Sequence, residues 1–320
     1  MGRQELRMTP GKKFLSSDEI RYLAERSDLW GWLLIAHCWG IIVVTLVIFA
    51  VWPSIFTAPL AVIIIGSRQL GLAILMHEAT HNALFKSLTL NYLCGAWVCG
   101  NPIFADLSAY RKYHLKHHRH TQTDKDPDLR LSRPFPATRT SMMRKLLRDI
   151  TGQTGIKQRM QQIMVALKLA GDLDHTPTEE ELAQAFSGTK LKHAVLVNFA
   201  VFALMWIFGA WWWWFSFWAL PLLTWYQLVL RVRNIAEHAV VEFSDNPLKN
   251  VRTTKAGPLM RLLLAPYWVN YHLEHHLVMH VPCRNLPTLH KLMLQKGHGH
   301  EMEVAGNYWE VMLKASSKPA

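Results

Sequence analysis

Residues 30–67 have the sequence WGWLLIAHCWGIIVVTLVIFAVWPSIFTAPLAVIIIGS, which contains no Lys, Arg, Asp or Glu. A membrane-spanning helix needs about 20 predominantly apolar residues, so this stretch and its apolar continuation to Met76 are long enough for two spans. Pro53 and Pro59 mark the turn between them. We therefore predict a helical hairpin formed by residues 30–51 and 58–77.

A second apolar run, residues 193–230, also lacks charged side chains and fits two further spans, over about residues 193–210 and 215–233. The break between these spans contains four consecutive tryptophans, Trp211 to Trp214, which favour an anchor at the membrane interface. Backbone inside the hydrocarbon core must satisfy its own hydrogen bonds, so these runs must be helical. The apolar stretch 92–104 is too short to cross and is expected to be re-entrant or interfacial.

The positions of Lys and Arg predict the orientation of these spans. Six occur in residues 1–28, sixteen in residues 105–192 and eleven from residue 231 onward, whereas the two hairpin turns carry none. The positive-inside rule then places both termini in the cytoplasm, and in a bacterium the membrane would be the inner one. The net charge of +12 is thus expected to face anionic lipids rather than nucleic acid.

These features together predict an all-α integral membrane protein. We expect a single domain over residues 1–320, with four transmembrane helices beneath a cytoplasmic helical cap that residues 105–192 and 234–320 form. We expect the cap to belong to the same domain because it carries most of the clustered histidines and would not function alone.

Histidine is the unusual component of the composition, with 17 copies that are strongly clustered. The three clusters are HEATH at 77–81, HLKHH at 114–118 and HLEHH at 272–276. Residues i, i+3 and i+4 share one face of a helix, so the imidazoles of each cluster can point at one site. Asn234 and His238 repeat the four-residue spacing where the fourth span should end.

The four elements can meet in one pocket, because each lies at a predicted cytoplasmic end of a span or in a cytoplasmic segment. Imidazole is the commonest protein ligand for metals and suits Fe, Zn, Cu and Ni. The clusters and His238 supply nine imidazoles, which is too many for one ion and suits two. The pattern therefore predicts a histidine-rich site for two metal ions at the membrane surface.

The order and spacing of the clusters resemble the three histidine boxes of the membrane fatty-acid desaturase and hydroxylase superfamily. Tyr271 and residues 282–290 extend the likeness to the third box of acyl-lipid desaturases, and the resemblance covers about residues 30–295. It implies two iron ions, with Asn234 contacting one of them directly or through water. The implied histidine ligands are His77, His81, His114, His117, His118, His238, His272, His275 and His276.

Three acidic residues are candidates for supporting these ligands. Glu78 and Glu274 lie inside boxes but off the ligand face, and Asp126 follows the second box in the sequence TDKDPD. A metal-bound histidine usually donates its other N–H to a carboxylate or a carbonyl, so we expect this role for all three. For Asp126 an ordinary Asp- and Pro-rich turn is the alternative. His120, His280 and His290 are expected to lie outside the ligand set.

The resemblance implies an oxygen-dependent desaturase that introduces a double bond into a fatty acyl chain or acyl lipid. Hydroxylase, ketolase or oxidative decarboxylase activity on a fatty acid, lipid or carotenoid stays open, because residues 118–121 and 126–128 also resemble carotenoid ketolases. The chain contains no CxxCH or GxGxxG motif for a redox cofactor. Electrons are therefore expected from a partner such as a ferredoxin or a b-type cytochrome.

Two other classes of protein fit less of the sequence. HEATH also satisfies the HExxH motif of zinc proteases, with Glu78 as general base, but that assignment leaves the second and third clusters without a role. A metal carrier would place ionisable ligands along a path through the membrane, whereas the predicted spans are nearly free of such groups.

Overall fold

A computed structural model describes residues 10–167 and 188–319 of the chain. Within this part nearly all regular structure is helical, as predicted. Residues 168–187, which belong to the predicted cap, lie outside the described residues. Two two-residue strands, β1 (Thr253–Thr254) and β2 (Val304–Ala305), pair in parallel, with Thr253 opposite Val304.

The first described helices form the predicted hairpin. A 3₁₀ turn at Pro10–Lys13 precedes α1 (Ser17–Leu23). At the start of α1 the Ser16 hydroxyl accepts from the Glu19 N–H at 3.2 Å, and the Glu19 carboxylate accepts from the Ser16 N–H at 2.7 Å. The next two helices are α2 (Asp28–Val51) and α3 (Thr57–Thr80). Both are long and apolar enough to cross a membrane, in agreement with the predicted spans.

The apolar stretch after α3 folds as short helical segments beside it. These segments are α4 (Leu88–Leu93), a π-helix (Cys94–Gly100) and a 3₁₀ turn (Asn101–Ile103). The π-helix approaches α3 closely at Gly95, where a Cβ atom would lie only 2.5 Å from the Cβ of Ala79. Asp106 then caps α5 (Leu107–His120), accepting from the backbone N–H of Ser108 at 2.8 Å.

Three helices follow the second box: α6 (Leu129–Ser132), α7 (Arg139–Ile150) and α8 (Gln153–Ala166). Helices α7 and α8 each expose an apolar stripe with spacing i, i+4, i+7, the kind of face that helices lying on a membrane surface present. The stripes consist of Met143, Leu147 and Ile150 on α7 and of Ile156, Met160 and Ile163 on α8.

The second apolar run contains α9 (Gly188–Phe208), the third helix that is long and apolar enough to cross a membrane. The predicted fourth span is helical but interrupted, because Thr224 has non-helical dihedral angles of −117° and −86°. The span is divided into a π-helix (Phe215–Ala219), α10 (Leu220–Leu223) and α11 (Trp225–His238). Three such helices are found in the described residues, so a fourth crossing stays a prediction.

Side-chain contacts of α11 stabilise the helix break at Thr224. The side chain of Gln227 donates to the Leu222 carbonyl at 3.2 Å, which satisfies a group that the break leaves without a helical partner. Farther along α11, the guanidinium of Arg231 is paired with the Asp149 carboxylate of α7. The second half of the predicted span therefore packs against helices of the predicted cap.

The tryptophan cluster at residues 211–214, between the predicted third and fourth spans, does more than anchor the surface. Trp211 is 59% exposed, but Trp213 is only 9% exposed and packs edge-on against Phe49 of α2. The cluster thus joins the two hairpins as well as facing outward.

The C-terminal region closes the fold around α3 and α11. Its helices are α12 (Pro258–Leu263), α13 (His272–Leu277), α14 (Leu286–Gln295) and α15 (Tyr308–Ala315), with 3₁₀ turns at Pro266–Trp268, Cys283–Asn285 and His298–His300. One hydrophobic core includes residues from α2, α3, α13 and α14.

Candidate metal centre

The four histidine-bearing elements meet inside the protein. The first box ends α3, the second lies on α5, His238 ends α11, and the third box is α13. Their ligand-capable atoms form two groups, within each of which all such atoms lie within 4.8 Å of one another. The first group is His77, His81, His114, His118 and His275, and the second is His117, His238, His272 and His276. All nine histidines implied as ligands are therefore brought together.

The i, i+3, i+4 spacing has a specific structural meaning here. On α5 the outer pair, His114 and His118, joins the first group, while His117 joins the second. On α13 the relation is reversed, since the outer pair joins the second group and His275 the first. Each triplet thus divides its imidazoles between two adjoining groups, and neither helix could serve both groups with only an i, i+4 pair.

The Nε2 atoms in each group converge at the spacing that metal ligands have. In the first group, His118 Nε2 lies 2.9 Å from that of His114 and 3.1 Å from that of His275. In the second group, His272 Nε2 lies 2.8 Å from that of His238 and 3.1 Å from that of His276. Two nitrogens bound at about 2.0–2.1 Å, the zinc value, and at right angles to each other would lie about 3 Å apart.

The protonation chemistry of the groups suits metal binding as well. Neutral imidazoles crowded in this way cannot satisfy one another fully, and within residues 10–167 and 188–319 the buried Nε2 atoms of His77, His81 and His117 have no hydrogen-bond partner. Burial first, and interaction with neighbouring imidazoles and arginines second, lower the pKa of the clustered histidines on α5, α11 and α13, other than His117, well below the usual range. Their nitrogen lone pairs therefore stay available to a metal.

Asp126 makes the contact that was expected of it. Its Oδ1 lies 2.8 Å from His117 Nδ1, and its Oδ2 accepts from the backbone N–H of Gln122 at 2.8 Å. Burial acts to lower the pKa of His117, but the carboxylates of Asp128 and Asp126 outweigh it and raise this pKa. Because Nδ1 faces the carboxylate, the opposite nitrogen, Nε2, is directed at the second group.

Glu78 and Glu274 make different contacts from those expected. Glu78 accepts from the backbone N–H of Cys283 at 2.8 Å and stays 3.7 Å from His77 Nδ1, beyond hydrogen-bonding distance. Glu274 accepts from the Thr253 hydroxyl and lies 2.5 Å from His290 Nδ1. Both carboxylates therefore fix the box helices to neighbouring segments rather than holding a ligand imidazole.

Several residues near the centre were not identified from the sequence. Glu237 is buried beside the second group, with Oε2 3.4 Å from His272 Nε2 and 2.6 Å from an Arg233 guanidinium nitrogen. The Gln122 side chain donates to the His238 carbonyl at 2.8 Å. The one available signal for Glu237 was its position directly before His238. Asn234, the predicted tenth ligand, is half-buried and lines a cavity that reaches His77.

Fold and site together define a helical protein with two buried histidine groups beside helices that are apolar enough to span a membrane. The model of the fatty acid desaturase family matches residues 50–306, so the chain belongs to that family. The match includes all three boxes, Asn234 and His238. One curated relative is the dihydrorhizobitoxine desaturase of Bradyrhizobium elkanii, 28% identical over 250 residues that cover 74% of this chain and 68% of the relative. The protein is thus an oxidoreductase of the desaturase type.

Proposed function

We propose that the protein is an oxygen-dependent desaturase that uses two iron ions to introduce a double bond into a fatty acyl chain or acyl lipid. The observation that carries this proposal is the division of nine imidazoles, eight of them buried, into two adjoining groups. One ion would be held by each group, with Asn234 on the side of the cavity. Iron bound there would supply the redox chemistry needed to activate dioxygen and remove hydrogen from an unactivated C–H bond.

The protein's own residues position the ligands and the substrate. Asp126 holds His117 by its Nδ1 side, and the hydroxyl of Thr121 lies 3.3 Å from His276 Nδ1. These outer contacts fix the orientation of the His117 and His276 imidazoles before any metal binds. Eight of the nine imidazoles are buried, and this burial limits the access of bulk water, which protects an oxidising centre from side reactions.

A cavity of about 240 Å³ adjoins the first group at His77 and would admit the substrate. One wall is apolar and is formed by Leu70, Ala73 and Ile74 of α3 together with Ile103. This wall would hold methylene groups next to the histidines. The other wall is polar and includes Gln158, Arg159 and Tyr226, so it suits a substrate whose acyl part ends in a polar group.

Desaturation is preferred to hydroxylation because the family and the curated relative are both named for desaturation. The two names differ in the substrate, since one refers to fatty acids and the other to dihydrorhizobitoxine. A fatty acyl substrate is therefore the more specific part of the proposal, and it rests on the family match and on the apolar wall of the cavity.

The electron donor would bind on the basic surface of α5. Lys116, Arg119 and Lys125 surround His120 and, after its partial burial, lower the pKa of that histidine. Lys116 and Arg119 lie on the helix that carries His117 and His118, and Lys125 follows its end, so an acidic ferredoxin or b-type cytochrome docked there would be close to both groups. By the positive-inside rule this face, and with it both termini, would be cytoplasmic.

Elemental analysis of the purified protein tests the proposal directly. We expect about two irons per chain, and little zinc, after expression in iron-replete medium and purification in detergent, because each histidine group offers a complete imidazole set. Inductively coupled plasma mass spectrometry gives both numbers. A single zinc without iron would contradict the proposal and favour a zinc hydrolase. Two irons would instead justify profiling the lipids of the expressing cells for a desaturated product.

Replacing Glu78 with Gln separates the desaturase from an HExxH protease. A protease would lose its general base and all activity while keeping its metal. We expect the desaturase to keep most of its turnover, because the Gln side-chain carbonyl can still accept from the Cys283 N–H. Product formation per bound iron is the measurement, and its complete loss with metal retained would contradict this expectation.

A further inference from the structure

A second cavity, of about 550 Å³, lies between α2, α3 and the segment around α12. We call it the arginine pocket, because Arg68 of α3 and Arg261 of α12 line it; the other polar and aromatic lining residues are Trp30, His37, Tyr267 and Trp268. None of the nine clustered histidines lines it. Arg68 precedes His77 by nine residues on one helix, which separates the two by about 13 Å. The pocket is therefore distinct from the metal centre.

The two arginines give the pocket an uncompensated positive charge. Arg68 is only 2% exposed; its guanidinium donates to the Leu262 carbonyl, but its Nε has no hydrogen-bond partner among the described residues. The Nε of Arg261 is likewise buried, and no residue in the described part of the chain forms a hydrogen bond with it. Among residues 10–167 and 188–319, no carboxylate forms an ion pair with either side chain. Since arginine cannot release its proton and buried charges are normally paired, the pocket is built to accept an anion.

The surroundings of the pocket indicate where such an anion would come from. Trp30 and Leu33 at its rim are 43% and 48% exposed, and both lie on α2, one of the helices that is apolar enough to cross a membrane. Tryptophan at such a position is typical of the layer of lipid head groups. The remaining wall is apolar and includes Leu34, Pro258 and Leu262. The pocket thus combines a cationic interior with an opening towards lipid.

We propose that the arginine pocket binds the phosphate group of an anionic phospholipid. Guanidinium groups pair with phosphate through two parallel hydrogen bonds, which a free Nε together with a neighbouring nitrogen can supply. The acyl chains would lie along the exposed apolar face of α2, next to Leu33. Two positive charges select an anionic lipid over one whose head group is neutral overall.

The aromatic wall of the pocket is held in place by the backbone. Tyr267 and Trp268 have φ values of 54° and 57°, in the left-handed region that residues with side chains rarely adopt. The Tyr267 hydroxyl lies 3.2 Å from His37 Nδ1, and its ring stands 6.0 Å from the Arg68 guanidinium carbon. A Cβ atom at Gly71 would lie 3.0 Å from the Tyr267 ring, so this glycine leaves room for it. The wall is therefore formed before any lipid arrives.

Lipid titration of the full-length protein tests the proposal. The purified protein is delipidated in neutral detergent and titrated with phosphatidylglycerol, and bound lipid is counted by native mass spectrometry. We expect one tightly bound phosphatidylglycerol per chain, and at least a tenfold weaker affinity after Arg261→Gln, because the substitution removes one of the two positive charges and its charge-assisted hydrogen bonds to the phosphate. Arg133→Gln is the matched control, since Arg133 is exposed and pairs only loosely with Asp124 at 3.5 Å; its affinity should equal that of the unmodified protein.

The outcomes are distinguishable even if one variant does not fold. Arg68→Gln loses the bond to Leu262 and could unfold, whereas Arg261 is partly buried on a short helix, so Arg261→Gln and Arg261→Glu carry the test. Equal phosphatidylglycerol affinity in these variants and the control would overturn the proposal, and so would equal affinity for diacylglycerol, which lacks phosphate. If inorganic phosphate at millimolar concentration displaces the lipid, the pocket binds free phosphate and the proposal of a phospholipid ligand is overturned. Iron content should stay unchanged in all variants.

Discussion

Replacing His275 or His118 with alanine is expected to abolish turnover and to lower the bound iron, with the loss confined mainly to one of two ions. Both side chains belong to the first histidine group, and their Nε2 atoms lie 3.1 Å apart. Removing a ligand should exceed the roughly 10–100-fold cost of losing an outer partner of a metal site, so activity should fall more than about 100-fold. His272→Ala, in the second group, should remove the other ion.

Metal content and turnover should be measured together for these variants. His300→Ala is a suitable control, because the His300 side chain is 80% exposed and belongs to neither group. It should keep both ions and full activity. Unchanged iron in His118→Ala and His275→Ala would contradict the ligand assignment, and loss of both ions from every variant would show that the two groups do not bind independently.

Local periodicity made a common pocket for the histidine clusters a hypothesis, and the family resemblance implied the set of nine ligands. The i, i+4 and i, i+3, i+4 spacings fix which side chains share a helical face, and the apolar runs fix which ends of the helices lie on the same side. The sequence did not predict that each triplet divides between two groups. That division depends on how α5 and α13 are placed relative to each other, which only tertiary packing determines.

Contacts between distant residues explain the other differences. Glu274 was expected to support a ligand imidazole, but Thr253 and His290, from 21 and 16 residues away, compete for the same carboxylate. Glu237 was not identified because a single acid beside a histidine is common, and its burial depends on Arg233 one helical turn earlier. The interrupted fourth span reflects Pro221, Thr224 and the Arg231–Asp149 pair, which no hydropathy pattern reports.

Replacing Asp126 with Asn is expected to weaken metal binding by about 10–100-fold, the usual cost of losing the carboxylate behind a ligand histidine. Asp126 is buried, and its Oδ1 accepts from the Asp128 N–H at 2.9 Å in addition to contacting His117. An Asn side chain has one acceptor oxygen for these partners. If its amide nitrogen turns to His117, it donates to Nδ1 and forces the ring proton onto Nε2, the nitrogen that must carry a lone pair for the metal.

The measurement is iron retained per chain after dialysis against a weak chelator, followed by turnover with added ferrous iron. Loss should concentrate in one ion, because His117 belongs to the second group, and excess iron should restore part of the activity. Asp124→Asn is the matched control: that side chain is 80% exposed and contacts only Arg133 among the described ion pairs. If Asp126→Asn retains iron as well as this control does, then Asp126 acts only within the turn that follows the second box. Loss of iron from Asp126→Asn alone would instead identify the carboxylate as the group that sets the proton position on His117, since both variants remove one negative charge from the same loop.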